Sequence, residues 1–196
     1  MIGIGGFGMG KNFKRGLLVV RNNGLQHLQK VIDRILVIES LTISTILQIK
    51  WKEEDVDQNV RGLYGHIGDE IIIQKIIDMQ GVCMVAIILL DSKPDPYRHS
   101  CSICGKKTGE ERLDNMNVNR IKDDMRVQYG NIIHSADTEE KALEEIIKFG
   151  GGHSMMLAEM KPKFGTFLNT TFSCDGILEQ LNTMESGAKV WIPPNK

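Results

Sequence analysis

Cysteine is scarce in this chain, with four among 196 residues, at positions 83, 101, 104 and 174. They are too few and too irregularly spaced for a disulfide framework, which suits a reducing compartment and makes a cytosolic setting the expectation. Long hydrophobic runs are lacking as well. Stretches such as GLLVV (16–20) and VCMVAIILL (82–90) fall far short of the roughly 18 apolar residues a spanning helix needs, so no membrane association is expected. Net charge is almost nil, 24 basic residues against 25 acidic ones with a pI near 6.5. Nothing global draws such a chain to nucleic acid or to an anionic membrane surface, so specificity must come from local sites. Acidic residues are missing from the beginning of the chain, the first being Asp33. The first fifteen residues hold five glycines, which oppose the amphipathic helix of a transit peptide, and residues 1–14 are expected to form a flexible arm.

Metal chemistry also lacks its usual pattern. CSIC (101–104), next to His99, has half the spacing of a zinc site, but no second Cys-x-x-Cys or His pair follows to complete four ligands. Two free thiols in a loop are the plainer reading, and no protein-held metal is expected.

What the chain does contain is 41% hydrophobic residues, enough for one globular domain of ordinary size plus a tail. GLLVV reads as a short buried strand and RNNG (21–24) as a turn. Leu25, Leu28, Val31, Ile32 and Ile35 then recur at helical spacing. LTISTILQIKW (41–51) is rich in β-branched residues and alternates through Ile43, Thr45, Leu47 and Ile49, which predicts a second strand with those four on one face. IIIQKIIDM (71–79) supplies Ile72, Ile73, Ile76 and Ile77 to one face of a short helix. VCMVAIILL is a third strand, buried on both faces and expected at the sheet centre. From 91 to 125 the chain is polar and almost without periodicity, which predicts a long functional loop. RVQYGNIIH (126–134) can form a strand, after which Ser135, Asp137 or Thr138 can cap a helix carrying Ala142, Leu143, Ile146 and Ile147. Past Gly150 the pattern weakens to one helical stretch (175–184) and a WIPPNK terminus. The order β-α-β-α-β-loop-β-α predicts a ferredoxin-like α+β fold, an antiparallel sheet with helices on one face, over 15–149. Residues 150–196 form an extension expected to dock on a partner.

Within NIIHSADTEEKALEEI (131–146), Asn131, His134, Asp137 and Glu145 stand at telling intervals, with Glu145 eleven residues past the histidine. Together with the element order, this run resembles the nucleoside diphosphate kinases, whose signature is Asn-x-x-His-Gly-Ser-Asp followed by a helix bearing that glutamate. The resemblance spans roughly 15–149. It implies that His134 attacks the γ-phosphate of a nucleoside triphosphate and passes it on through a phosphohistidine, with Mg²⁺ on the phosphates and Glu145 orienting the ring. It further implies that Asn131 touches the sugar hydroxyls and that Tyr64 contributes near the phosphates. Where the family has Lys-Pro-Asp-Gly this chain has RNNG, so that Arg21 replaces a phosphate-binding lysine and Gly24 alone is kept. Lys122 stands for one clamp arginine, Thr108 for a threonine on the phosphates, and Arg98 for a second arginine if residues are inserted between them. Gly-Ser after the histidine has become Ser135-Ala136, which is expected to narrow the space beside the ring.

Plainer readings stand beside these. A histidine at a strand–helix junction is commonly a satisfied structural residue, and Glu139, Glu140, Glu144 and Glu145 form an acidic face that is commonly just solvated. His27, His66, His99 and His153 read as surface residues. Met155, Met156 and Trp191 read as core or interface. Two functions follow. In one, the chain is a structural or nucleotide-sensing subunit with weak or lost catalysis, joined to a larger assembly through its arm and extension, as family members serve in ciliary axonemes. In the other, it is an active kinase of this type. The substitutions at RNNG and at Ser135-Ala136 and the added segments lean toward the first.

Overall fold

A computed structural model describes residues 13–64, 68–80, 82–94, 97–98, 111–112, 116–150, 174–183 and 187–191. The GLLVV run lies in β1 (Lys14–Val20), and a 3-10 turn (Asn22–His27) leads into α1 (Leu28–Leu36), where Leu28, Val31, Ile32 and Ile35 are buried at the predicted spacing. Then come β2 (Leu41–Lys50), α2 (Glu53–Tyr64), α3 (Asp69–Met79) and β3 (Cys83–Asp91). Two-residue strands β4 (Tyr97–Arg98) and β5 (Glu111–Arg112) pair with each other. After them run α4 (Met116–Tyr129), β6 (Ile133–Ser135), α5 (Glu139–Gly150), α6 (Cys174–Asn182) and β7 (Gly187–Trp191).

The main sheet has the order β6-β1-β3-β2-β7, with every neighbouring pair antiparallel. β3 sits at its centre, as its unbroken apolar run requires. β1 and β2 run parallel with β3 between them, and β3 and β6 run parallel with β1 between them. These are two interleaved split β-α-β units, and the fold is ferredoxin-like α+β, with β7 added at the free edge of β2.

Alternation along the strands sends side chains to two cores. Leu18, Val20, Val85, Ile87 and Leu89 face α1, α4 and α6, whereas Leu17, Val19, Met84, Ala86 and Ile88 face α2, α3 and α5. Helices therefore cover both faces of the sheet, not one. The second layer exists because the segment between β2 and β3, polar but with scattered apolar residues, folds into α2 and buries Val56, Val60, Leu63 and Tyr64. β2 also departs from simple alternation. A register shift between Ile43 and Thr45 keeps Ile43 and Ile46 on one face and turns Leu47 and Ile49 to the other.

Two further expectations are corrected. In α3 only Ile72 and Met79 are fully buried and Ile76 partly so, while Ile71, Ile73 and Ile77 are exposed. The predicted loop from 91 to 125 contains most of α4, and Arg126–Tyr129 belong to that helix rather than to a strand. Gly130, at φ 78°, ends it with the left-handed residue that closes many helices, and its N–H donates to the Arg126 carbonyl at 2.9 Å. The later helix starts where one of the predicted caps stands, since Thr138 Oγ1 accepts the Lys141 N–H at 3.2 Å.

Of the extension, α6 inserts Ile177 and Leu181 into the core beneath α1 and α4, and β7 pairs with β2 from Ile46↔Trp191 to Lys50↔Gly187. Residues 1–12 of the arm lie outside the described residues, as do Thr108 and the CSIC motif. No helix among the described residues is long and apolar enough to cross a membrane.

Candidate active site

β6 is only three residues long, yet it sets the site. It pairs with β1 through Val19↔His134, and alternation turns Ile133 and Ser135 toward α4 while His134 points the other way, toward α5. Eleven residues on, one face of α5 returns Glu145 to the imidazole. Nε2 of His134 and Oε2 of Glu145 are 2.8 Å apart, and both residues are buried. A carboxylate only accepts, so the Nε2 proton is donated to Glu145 and the Nδ1 lone pair is left uncommitted. Burial pushes the histidine below its ordinary 6.5, the charge and hydrogen bond of Glu145 pull it back in part, and Arg21 and Lys122 add to the lowering. The ring is neutral at pH 7, the state in which a nitrogen lone pair can attack.

Around the ring the chain gathers positive charge. Arg21, the residue after β1, is almost wholly buried. Its backbone N–H donates to the Ile132 carbonyl at 2.9 Å, and Nη1 reaches the Asn131 carbonyl at 3.4 Å. Tyr64, at the end of α2, meets the imidazole edge-on with ring centroids 5.3 Å apart. Burial raises its phenol above 10, with the Arg21 charge opposing. Lys122 on α4 donates to Asn119 Oδ1 at 2.9 Å and stands 3.7 Å from Asp137. Three buried polar atoms of the site have no hydrogen-bond partner: Arg21 Nε, Tyr64 Oη and Glu145 Oε1. Each such atom costs on the order of 1–3 kcal/mol unless a ligand or water meets it.

His134, Glu145, Tyr64, Arg21 and Lys122 thus converge. Asn131 is exposed and enters the cluster through its carbonyl rather than its amide. The backbone of Arg98 lies in β4, and Thr108 falls outside the described residues. Ser135 does not crowd the imidazole as expected. Its hydroxyl donates to Asn119 Oδ1 at 3.0 Å on the opposite side of β6, because consecutive strand residues face opposite ways, and Ala136 is buried in the core under α5.

No protein-family model matches the chain, and no curated protein sequence does so. The solved structures it is similar to include nucleoside diphosphate kinases. The enzyme from Aquifex aeolicus is 20% identical over 73% of this chain and 99% of its own, with a TM-score of 0.47. That from Encephalitozoon cuniculi is 17% identical over 77% and 95%, with a TM-score of 0.49. That from Borrelia burgdorferi, solved as a transition-state mimic with vanadate and ADP, is 11% identical over 83% and 95%, with a TM-score of 0.47.

Three site residues escaped the sequence reading. Arg126 donates Nε and Nη2 to the Ile133 carbonyl at 2.9 and 2.7 Å and so clamps α4 to β6 beside the histidine. Asn119 joins Lys122 to Ser135. Asn119, Lys122 and Arg126 are spaced three and four apart, a polar helical stripe beside the apolar stripe of Val118, Ile121 and Met125. A search for buried polar periodicity would have found them. The third, Lys75 of α3, has its ammonium 4.2 Å from the centre of the Tyr64 ring.

Proposed function

We propose that the chain transfers phosphoryl groups between nucleotides through a phosphohistidine at His134 Nδ1. The observation that carries this reading is the buried His134–Glu145 pair. It fixes the tautomer and leaves one nitrogen uncommitted, while burial, against the pull of Glu145, keeps the ring neutral. The motif around His134 points the same way, and the converging Arg21, Tyr64 and Lys122 suit a phosphate chain.

In the forward half-reaction the Nδ1 lone pair attacks the γ-phosphorus of a nucleoside triphosphate. The bond from that phosphorus to the bridging oxygen breaks, and the nucleoside diphosphate leaves with the electron pair. A second nucleoside diphosphate then takes the phosphoryl group by the reverse step. Glu145 holds the Nε2 proton throughout and opposes the positive charge that the ring acquires. Arg21 and Lys122 stabilise charge on the transferring group. The Mg²⁺ that the resemblance implies would come to the site on the nucleotide's phosphates. There it offsets phosphate charge.

A second reading keeps nucleotide binding and drops turnover. It makes the chain a nucleotide-sensing or structural subunit of a cytoplasmic or ciliary assembly, reached through residues 1–12 and the extension. Arg21 favours it, being a rigid fork engaged with the Asn131 carbonyl where the family motif has a lysine.

One experiment separates the two. The protein is incubated with γ-labelled ATP and Mg²⁺ and quenched in alkali, where phosphohistidine survives, beside a His134→Ala control. Label that is absent from the control and chased off by nucleoside diphosphate is the expected result. No label at all would overturn the first reading in favour of the second.

A further inference from the structure

We propose that Lys75 of α3 is a second ligand-facing cation of the His134 site, binding the anionic group of the substrate together with Arg21. The inference deepens the reading above but rests on its own observations. Lys75 Nζ stands 4.2 Å over the Tyr64 ring, whose edge meets the imidazole 5.3 Å from centroid to centroid, so α3 delivers an ammonium to the mouth of the site. No carboxylate on α2, α4 or β6 is placed against it. The Tyr64 ring of α2 lies against it, and among the described residues the charges of Arg21, at the end of β1, and Arg126, on α4, act on it with Asp78 of its own helix opposing them. Such a crowd of like charges is held against repulsion, and an anion is the partner that relieves it.

The other cations of the site hold protein partners that a substrate would have to share. Both Nε and Nη2 of Arg126 hold the Ile133 carbonyl, and Lys122 is held by Asn119 and Asp137. Arg21 Nε and Tyr64 Oη are buried without a well-formed hydrogen bond, although the guanidinium lies near enough to the phenol to oppose the rise of its pKa. An anionic oxygen lying between Arg21, Tyr64 and Lys75 accepts from all three at once. Because burial, Arg21 and Arg126 hold the Lys75 ammonium down to about 7, part of the free protein has this lysine neutral at neutral pH. Binding of a polyphosphate restores the charge, so the ligand carries a proton in with it. A permanently charged residue at 75 would bind without that uptake.

The test uses inorganic pyrophosphate as probe, titrated calorimetrically into the full chain at pH 7 in two buffers of different ionisation enthalpy, beside Lys75→Met and Lys75→Arg. The wild type is expected to take up a fraction of a proton per pyrophosphate bound. Lys75→Met is expected to bind roughly tenfold to a hundredfold more weakly, with that uptake gone. Lys75→Arg should restore affinity without restoring uptake, a pattern that a merely structural lysine does not produce. Absence of pyrophosphate binding in the wild type, or Lys75→Met with unchanged affinity and uptake, would overturn the proposal. The phosphoenzyme assay keeps the two claims apart. Label on His134 with pyrophosphate binding indifferent to Lys75 sinks this inference alone, whereas Lys75-dependent binding without label sinks only the transfer reaction.

Discussion

Replacing Gly24 by alanine probes how the turn after β1 is fitted against the strand that carries His134. A Cβ built at Gly24 lies 2.7 Å from the Ile132 carbonyl oxygen, 2.8 Å from Ile132 Cβ and 3.2 Å from Val20 Cγ1. The first two are a backbone atom and the first atom of a side chain, so no rotamer change relieves them and the two segments must part by several tenths of an ångström. That same Ile132 carbonyl accepts the Arg21 N–H at 2.9 Å, and separation stretches this bond too. Overpacking of this kind costs about 1–3 kcal/mol, and a weakened hydrogen bond adds about 1 kcal/mol. In a chain of this size each kcal/mol lowers Tm by about 2–4 °C, so a fall of roughly 4–16 °C is expected in thermal unfolding followed by circular dichroism.

Gly62→Ala is the matched control. Gly62 is exposed within α2, and its added Cβ meets only the end of Lys148, 4.0 Å away. There the substitution removes a helix penalty of about 0.5–1 kcal/mol, and Tm should rise slightly. The same chemical change is thus expected to have opposite signs at the two positions. A Gly24→Ala protein as stable as the wild type would refute the claim that this turn is packed hard against Ile132. Since Ile132 lies two residues before the histidine, the variant should also form phosphohistidine more slowly at temperatures where it is fully folded.

Phe149 is fully buried and stacks on Trp51 with centroids 5.2 Å apart, so Phe149→Ala should cost about 3–5 kcal/mol in urea unfolding, and a loss under 1 kcal/mol would contradict the packing described. Glu145→Gln keeps the shape but lets an amide donate to Nε2 and reverse the tautomer. Phosphohistidine formation in rapid-quench experiments should fall on the order of 10²-fold or more, and an unchanged rate would remove Glu145 from its orienting role. The pH profile carries a sign. His134 titrates below 6.5 in the folded chain, so at saturating nucleotide, where the charge of Lys75 no longer limits binding, the rate should not fall between pH 8 and 6.5 and should decline only lower, and a midpoint above 6.5 would contradict the burial. By the same linkage the unfolded chain takes a proton near 6.5 before the folded one does, so this histidine lowers stability as pH falls below 6.5.

The elements that could be read from the sequence are those whose pattern has a single cause. β1, α1 and β3 are dictated by apolar spacing alone, and their burial follows it residue by residue. α4 was missed because its inward side is shared. Val118, Ile121 and Met125 fill the core while Asn119, Lys122 and Arg126 are buried beside them as polar groups, and the mixture cancels the amphipathic signal. β2 misled for another reason, since one bulge reverses the faces of everything after Ile43 and no composition marks it. In the candidate site, His134 and Glu145 stand out through the motif, and Arg21, Tyr64 and Lys122 through the wider resemblance. Lys75 was not, because its position on α3 acquires meaning only when α2 and α3 pack side by side and bring its ammonium over Tyr64.

The unmet atoms of the site are of two kinds, and the difference bears on what it binds. Arg21 Nε and Tyr64 Oη are donors, which an anionic oxygen satisfies, whereas Glu145 Oε1 is an acceptor, which an anion repels. In the proposed reaction a polyphosphate would meet the first two and stay clear of the third. The placement of Glu145 allows this. Its carboxylate is joined to the imidazole through Nε2, so it does not occupy the Nδ1 position that the proposed reaction uses. With no second donor to share its charge, the carboxylate directs it at the histidine. In the proposed reaction that would favour the moment at which Nδ1 becomes bonded to phosphorus and the ring turns cationic, and do little for the neutral ring beforehand. A buried carboxylate half met by hydrogen bonds is a poor device for stability, and its cost is offset where a positive charge develops beside it.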